Sequence, residues 1–231
     1  MKKIYFLFLS LILFSCSSTL DVQDNQEPED PQYSYLALGD SYTIGESVKE
    51  TDRWPVKLAE QLRSRDYKMA APKIIAKTGW TTEDLLRGME NELNIQRDFD
   101  LVSILIGVNN QYQGKPVTEY EEDLRTIFRK AVNHSKTMEK GVFAVSIPDY
   151  GYTPFGAANQ EKISAEIDRF NEVFKRIADE FDVPFYNITP ISRDAVNNPD
   201  LIASDGLHPS GLMYQFWVDK FVNEVAAKLP Q

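Results

Sequence analysis

The stretch Leu101-Val102-Ser103-Ile104-Leu105-Ile106 is almost wholly apolar and stops at Gly107. A short apolar run of this kind is typical of a strand that is buried on both faces. Such strands belong to parallel sheets, whose crossover connections place helices over the faces of the sheet. The stretch therefore predicts one strand of a parallel sheet covered by helices.

The segments on either side repeat this alternation of strand and helix. Four further strands are predicted, at Tyr35–Leu38, Lys73–Lys77, Val142–Ile147 and Phe185-Tyr186. Between them, apolar residues recur every three or four positions, which is the spacing of one helix face. The clearest series is Ile163, Ile167, Phe170, Phe174, Ile177 and Phe181. The sequence thus predicts one α/β domain with a five-stranded parallel sheet.

Capping residues and apolar series predict further helices. Thr81-Thr82-Glu83-Asp84 has the composition of a helix start, and the apolar series behind it continues to Leu93. Thr118 and Glu121 have the spacing of a capping box, which predicts a second start. Met213 to Leu229 is predicted to be the terminal helix.

Composition and charge exclude several functional classes. The chain is 42% hydrophobic and 26% charged, as in a soluble globular domain, and its net charge of −10 argues against a nucleic-acid partner. A single cysteine excludes an internal disulfide and the cysteine-rich zinc sites. Only His134 and His208 are present, without an HExxH or phosphate-loop pattern, so neither a metal nor a nucleotide cofactor is expected.

The N-terminus predicts export. Met1-Lys2-Lys3 is positively charged, and the apolar run Ile4–Phe14 is too short to span a bilayer, which needs about 20 residues. Its length suits a signal peptide, predicted over residues 1–15. Leu13-Phe14-Ser15-Cys16 resembles the lipobox of bacterial lipoproteins, and that resemblance implies acyl chains on Cys16. An ordinary secretory signal with a chance cysteine is the alternative.

The predicted organisation after cleavage is a lipid anchor, a tether and one domain. Residues 16–32 contain acids, Gln, Ser and prolines with little to bury, which is typical of a flexible tether. Residues 33–231 form the predicted domain. An acidic tether is repelled by an anionic bilayer, so anchoring by lipid is favoured over adsorption. We therefore expect an exported protein anchored in the bacterial cell envelope, and the sequence does not indicate its oligomeric state.

Candidate catalytic residues follow the predicted strands, where open parallel sheets bind ligands. The blocks are Gly39-Asp40-Ser41, Thr78-Gly79-Trp80, Gly107-Val108-Asn109-Asn110 and, before the last helix, Asp205-Gly206-Leu207-His208. A serine nucleophile needs an adjacent base, and His208 is the best base available. Asp205 can orient the imidazole. The backbone N–H of Gly79 and the amide of Asn109 can stabilise a developing oxyanion.

These four blocks, in this order, resemble the SGNH (GDSL) hydrolase family, named for its Ser, Gly, Asn and His. The resemblance implies a flavodoxin-like three-layer sandwich and no cofactor. It further implies Ser41 as nucleophile, His208 as base and Asp205 as its partner. The oxyanion hole would consist of the Ser41 and Gly79 N–H groups and the Asn109 side chain.

One position departs from the family pattern. The family usually has Asp after the oxyanion Asn, whereas this chain has Asn110. An amide keeps some of the same hydrogen bonds but lacks the charge. The sequence therefore leaves open which contacts hold Asn109 in place.

The expected activity is that of a serine esterase acting on a short-chain ester, an acyl-lipid or an acetylated carbohydrate. Two alternatives remain open: a catalytically silent lipoprotein that binds a glycan or an envelope protein, and an acyltransferase. Asp40 and His134 are interpreted as structural, and Asp149 is the reserve candidate for a polar contact near the substrate. Six aromatic residues either line a substrate site or pack the loops: Tyr42, Trp80, Tyr112, Tyr150, Tyr152 and Phe155.

Overall fold

The described part of the chain comprises residues 27–92 and 99–230 of a computed structural model. The predicted signal peptide and Cys16 lie outside these residues. Residues 27–32, the described part of the predicted tether, run along the domain. The Ala71 N–H donates to Glu27 Oε1 over 2.9 Å, and the Gln32 N–H donates to the Lys68 carbonyl.

Five strands form one parallel sheet. They are β1 Tyr35–Gly39, β2 Lys73–Ala76, β3 Leu101–Leu105, β4 Val142–Val145 and β5 Phe185–Tyr186. Their spatial order is β2-β1-β3-β4-β5, with every pairing parallel. All residues of β1, β3 and β4 are buried, which explains why these segments are apolar throughout. The predicted fold class, a five-stranded parallel α/β sandwich, is confirmed.

Helices cover both faces of the sheet. They are α1 Ser41–Ile44, α2 Trp54–Arg63, α3 Thr82–Glu92, α4 Val108–Tyr112, α5 Val117–His134, α6 Gln160–Glu180, α7 Thr189–Arg193 and α8 Gly211–Ala226. Helix α2 packs against α8, and α5 packs against both α3 and α6. Within the described residues, no helix combines the length and the apolar character that crossing a membrane requires.

The two predicted helix starts have different outcomes. At α3 the predicted start is confirmed. The Thr81 N–H donates to Asp84 Oδ2 over 3.0 Å, and the Asp84 N–H donates to Thr81 Oγ1 over 3.4 Å. The capping box at Thr118 is wrong, because α5 begins at Val117 after Pro116, which makes no side-chain cap. Proline has no N–H and a φ already near the helical value, so it precedes a helix without a capping box.

The order of the strands positions a crevice between β1 and β3. From β1 the chain crosses to β2 on one side, and from β3 it crosses to β4 on the other. Ligands of open parallel sheets bind at such a switch point, beyond the carboxyl ends of the strands. Helices α1 and α4 begin there. Neither helix is predicted from the sequence, since four or five residues are too few to show a helical period.

Candidate active site

A cavity of about 190 Å³ lies at this switch point. Four of the five residues predicted for the site line it, namely Ser41, Gly79, Asn109 and His208. The fifth, Asp205, lies behind His208. The fold therefore brings together at one place the four sequence blocks that were singled out.

Ser41 is the first residue of α1, directly after the turn that leaves β1. The turn is tight because a Cβ on Gly39 would lie 2.5 Å from the Leu105 carbonyl oxygen and 2.1 Å from Thr43 Oγ1. Only glycine allows α1 and β3 to approach the end of β1 this closely. Ser41 is only 5% exposed and faces the cavity, so a nucleophile here would react in a partly dry environment.

His208 is held by Asp205 in the geometry that a catalytic base requires. Its Nδ1 lies 2.6 Å from Asp205 Oδ2, and the backbone N–H groups of Leu207 and His208 donate to Asp205 Oδ1, each over 2.9 Å. With Nδ1 engaged, Nε2 is the ring nitrogen left to act on a hydroxyl. The Tyr42 ring packs edge-on against the imidazole, 5.7 Å between centroids, and fixes its plane.

The charge of Asp205 is stabilised by its neighbours. Partial burial raises the pKa of this carboxyl, but hydrogen bonds from Ser47, from the His208 ring and from two backbone N–H groups outweigh it. The net result is a pKa far below the ordinary value of 3.8. Asp205 is therefore ionised at neutral pH and can stabilise an imidazolium on His208.

Ser47 was not predicted from the sequence to belong to the site. Its Oγ donates to Asp205 Oδ2 over 2.7 Å, so it shares that oxygen with the His208 ring. Its backbone has φ +64°, a left-handed conformation uncommon for a residue other than glycine. The sequence carries no signal for this contact, because it joins two loops that are distant along the chain.

The candidate oxyanion donors, Gly79 and Asn109, line the same cavity as Ser41. Gly79 has φ +83° and open space where a Cβ would be, so its backbone lies exposed at the cavity. Asn109 lies in α4, and its Nδ2 donates to the Trp80 carbonyl over 3.0 Å. A carboxamide has two N–H bonds, so this contact positions the group and leaves one donor for a ligand.

Asn110 has its own partners on α3. Its Oδ1 accepts from the Thr82 N–H over 3.0 Å, and its Nδ2 donates to Thr82 Oγ1 over 2.8 Å. The Thr82 hydroxyl donates in turn to Asp123 over 2.6 Å. A carboxylate at position 110 could not make the Nδ2 contact. The amide therefore fits this chain, and it ties α4, which carries Asn109, to the start of α3.

Asp40 caps α1 and does not line the cavity. Its Oδ1 accepts from the Tyr42 N–H over 3.1 Å, while Oδ2 has no hydrogen-bond partner among residues 27–92 and 99–230. Complete burial raises the pKa of this carboxyl from 3.8 to about 7, although backbone N–H groups around it, including that of Gly107, oppose the shift. The structural interpretation of Asp40 agrees with this placement.

Asp149 is not at the cavity. Its side chain is fully buried, its Oδ2 pairs with Arg193 Nε over 2.9 Å, and its Oδ1 accepts from the Gly151 N–H. The expectation of a contact near the substrate is therefore wrong, because this carboxylate is already occupied within the protein. His134 is in the last turn of α5, also away from the cavity.

The six aromatic residues divide into two groups. Tyr42, Tyr112, Tyr150 and Phe155 line the cavity. Trp80 instead packs over Gly88, and Tyr152 lies 5.9 Å beneath the Arg193 guanidinium. The described residues contain no cluster of three or more His, Cys, Asp or Glu side chains that could bind a metal ion.

One family model and several solved structures match this chain. The model of the GDSL-like lipase/acylhydrolase family matches residues 37–216. A lipase/acylhydrolase from Enterococcus faecalis is 19% identical over 86% of this chain and 97% of its own, with a TM-score of 0.69. No curated protein matches the sequence.

Two further solved structures share the fold. An acetylxylan esterase from Geobacillus stearothermophilus is 20% identical over 84% of this chain and 94% of its own, with a TM-score of 0.66. A psychrotrophic esterase from Pseudoalteromonas sp., inhibited by monoethylphosphonate, is 18% identical over 84% and 97%, with a TM-score of 0.63. At these identities the likeness concerns the fold.

Proposed function

We propose that Ser41, His208 and Asp205 carry out the reaction of this chain, which belongs to the GDSL-like lipase/acylhydrolase family and is a carboxylic ester hydrolase. The observation that carries the proposal is the convergence of Ser41 and His208, far apart in the sequence, on one cavity. The bond between His208 and Asp205 supports the assignment of the base.

The mechanism follows from these positions. The Ser41 oxygen attacks the ester carbonyl while His208 Nε2 takes its proton, and the Asp205 carboxylate stabilises the imidazolium. The oxyanion accepts hydrogen bonds from the Ser41 N–H, the Gly79 N–H and the second N–H of Asn109. The alcohol leaves with the proton of His208. Water then adds to the acyl-enzyme by the same route and releases the acid.

The substrate is a carboxylic ester of a small molecule, an acyl-lipid or an acetylated carbohydrate. The relative from Geobacillus, named as an acetylxylan esterase, is consistent with the last class. The alternative of a catalytically silent binding protein rested on Asn110. The hydrogen bonds between Asn110 and Thr82 give a structural reason for an amide at this position, so Asn110 does not by itself favour that alternative.

A p-nitrophenyl ester series of increasing acyl length tests the catalytic assignment. Ser41→Ala and His208→Ala should each lower kcat by about 10⁴-fold or more, because residues of a triad act as a unit. Lys175→Ala, an exposed position on α6, is the control. Wild-type activity that survives in either of the two variants would overturn the assignment.

For the anchor, we propose that residues 1–15 are removed and that Cys16 carries lipid, so that the domain of residues 33–231 is held in the cell envelope by the tether of residues 16–32. The resemblance to a lipobox supports this proposal. Labelled palmitate should be incorporated into the wild type and not into Cys16→Ala. Equal labelling of both proteins would contradict the proposal.

A further inference from the structure

A second cavity, of about 430 Å³, adjoins the catalytic one. Tyr112, Tyr150 and Phe155 line both cavities, which therefore meet at these three rings. Their ring centroids are 6.2 to 6.3 Å apart, so the three rings pack as one cluster. A substrate bound at Ser41 can extend from the first cavity along these rings into the second.

Apart from Gly114 and Ile163, the rest of the lining of the second cavity is polar. This polar wall is formed by Gln111 of α4, by Asn159, and by Lys162 and Glu166 of α6. Gln111 Nε2 donates to Glu166 Oε2 over 2.7 Å, and Lys162 Nζ lies 3.9 Å from Glu166 Oε1. The wall therefore offers both donors and acceptors, and its ammonium and carboxylate charges balance.

We propose that the second cavity binds the alcohol portion of the ester and that this portion is a neutral sugar. The inference rests on the proposed reaction at Ser41 and names the substrate class of that site. The Ser41 oxygen bonds to the acyl carbon, the bond between that carbon and the sugar oxygen breaks, and the sugar leaves as an alcohol with the proton of His208. Water then releases the short acid.

The exposed rings favour a sugar. Tyr112 is 60% exposed and Phe155 is 54% exposed, which leaves large aromatic faces open beside hydrogen-bonding groups. A pyranose ring has an apolar face of C–H bonds that can stack on such rings, and hydroxyls at its edge that need polar partners. The cavity supplies both kinds of contact.

The polar wall disfavours the other occupants. A fatty chain would strip water from Asn159, Lys162 and Glu166 without replacing their hydrogen bonds, which is costly. An anionic headgroup would meet Glu166 beside a single lysine, in a chain whose net charge is −10. A neutral molecule with many hydroxyls avoids both penalties.

The two volumes agree with a short acyl group on a larger alcohol. A cavity of 150 Å³ holds benzene, so on that scale about 190 Å³ holds about eight heavy atoms. On the same scale about 430 Å³ holds about 17, which is enough for one sugar ring. An acetyl group therefore fits within the first cavity, whereas a long fatty acyl chain would extend beyond it.

The test compares a sugar ester with an ester that lacks the sugar. Rates on a monoacetylated methyl glucoside, whose other hydroxyls are free, and on p-nitrophenyl acetate are measured for the wild type and for Glu166→Gln. The loss of kcat/KM on the sugar ester should exceed the loss on p-nitrophenyl acetate by about tenfold, the effect of weakening hydrogen bonds made by a charged group. Glu161→Gln, on the same helix but outside the cavity, is the control and should leave both rates unchanged.

A second variant guards against a folding effect. Asn159 precedes α6 without making a side-chain cap, so Asn159→Ala should leave the helix intact while lowering the rate on the sugar ester selectively, by about threefold or more. Equal losses on both substrates in both variants would overturn the inference. The inference would also be overturned if the wild type cleaved p-nitrophenyl acetate but not the sugar ester, or if it preferred p-nitrophenyl palmitate. In either case the proposed reaction at Ser41 would stand. If the wild type cleaves no ester, the proposed function fails.

Discussion

At the scale of single residues, the two oxygens of Asp205 have separate tasks. Oδ1 accepts the N–H groups of Leu207 and His208 and so fixes the loop. Oδ2 accepts from the His208 ring and from the Ser47 hydroxyl. The orientation of the imidazole therefore depends on a carboxylate that is itself held by a third side chain, and Ser47 is a positioning residue.

Removing the Ser47 hydroxyl should lower the rate with little effect on substrate binding. Ser47→Ala leaves Asp205 Oδ2 with one donor, so the imidazole is held less firmly and kcat should fall about tenfold, while KM moves less. Ser64→Ala, which removes an exposed hydroxyl bonded to the Gln61 carbonyl, is the matched control for kinetics on a p-nitrophenyl ester. A kcat equal to that of the control would exclude a positioning role for Ser47.

The sequence could predict some of these residues and not others. Ser41, Gly79, Asn109, Asp205 and His208 could be proposed from the sequence because each lies in a block of recognisable composition next to a predicted element. Ser47 could not be found, since its importance comes from a left-handed backbone and a contact between distant loops. The Asn110 contacts were equally inaccessible, because they depend on where α3 begins relative to α4.

At the scale of the elements, the junction between β3 and α4 constrains the site. Gly107 precedes α4 with φ +128°, and a Cβ there would lie 2.6 Å from the Tyr120 ring of α5. The close approach of α5 to this turn is possible only without a side chain. The junction thus sets where α4 starts and, through it, where Asn109 points.

Gly107→Ala should therefore destabilise the protein by about 3 kcal/mol or more, since backbone strain adds to overpacking. Gly114→Ala is the matched control, because Gly114 also has a positive φ, +64°, but open space around the missing Cβ. Strain alone should cost it about 1 kcal/mol. Urea denaturation of both variants measures the difference, and equal midpoints would show that contact with Tyr120 does not restrict position 107.

The strands and the long helices were predictable, whereas the short helices were not. Strand positions agreed to within two residues because strands buried on both faces must be apolar throughout. Helices α1 and α4 could not be predicted, because they exist through tight packing at strand ends rather than through an apolar period. The capping box at Thr118 failed because Pro116 had already started the helix.

At the scale of the whole molecule, Asp40 makes stability depend on pH. Folded Asp40 keeps its proton up to a pH of about 7, because burial raises its pKa, whereas in the unfolded chain the pKa is near 3.8. Between these values the folded state binds more protons, so stability should fall as the pH rises, by about 4 kcal/mol in total. Asp205 acts oppositely, since its lowered pKa stabilises the fold at neutral pH and this contribution is lost in acid.

Asp40→Asn should flatten the dependence of unfolding free energy on pH between 4 and 7, because the amide keeps the acceptor for the Tyr42 N–H and cannot ionise. Asp66→Asn, which replaces a carboxylate near the surface at the end of α2, is the control and should keep the wild-type slope. Denaturant titrations across this pH range supply the measurement. An unchanged slope in Asp40→Asn would mean that Asp40 ionises normally in the folded protein.

The proposed hydrolysis depends on the activation of Ser41 by His208 at the switch point of the sheet. The direct measurement is reaction with an alkylphosphonate ester followed by mass spectrometry of the labelled peptides. We expect a single label on Ser41 in the wild type, none in Ser41→Ala, and much slower labelling in His208→Ala, while Ser64→Ala reacts like the wild type. A label on a different serine, or equal labelling of Ser41→Ala, would show that Ser41 is not the nucleophile.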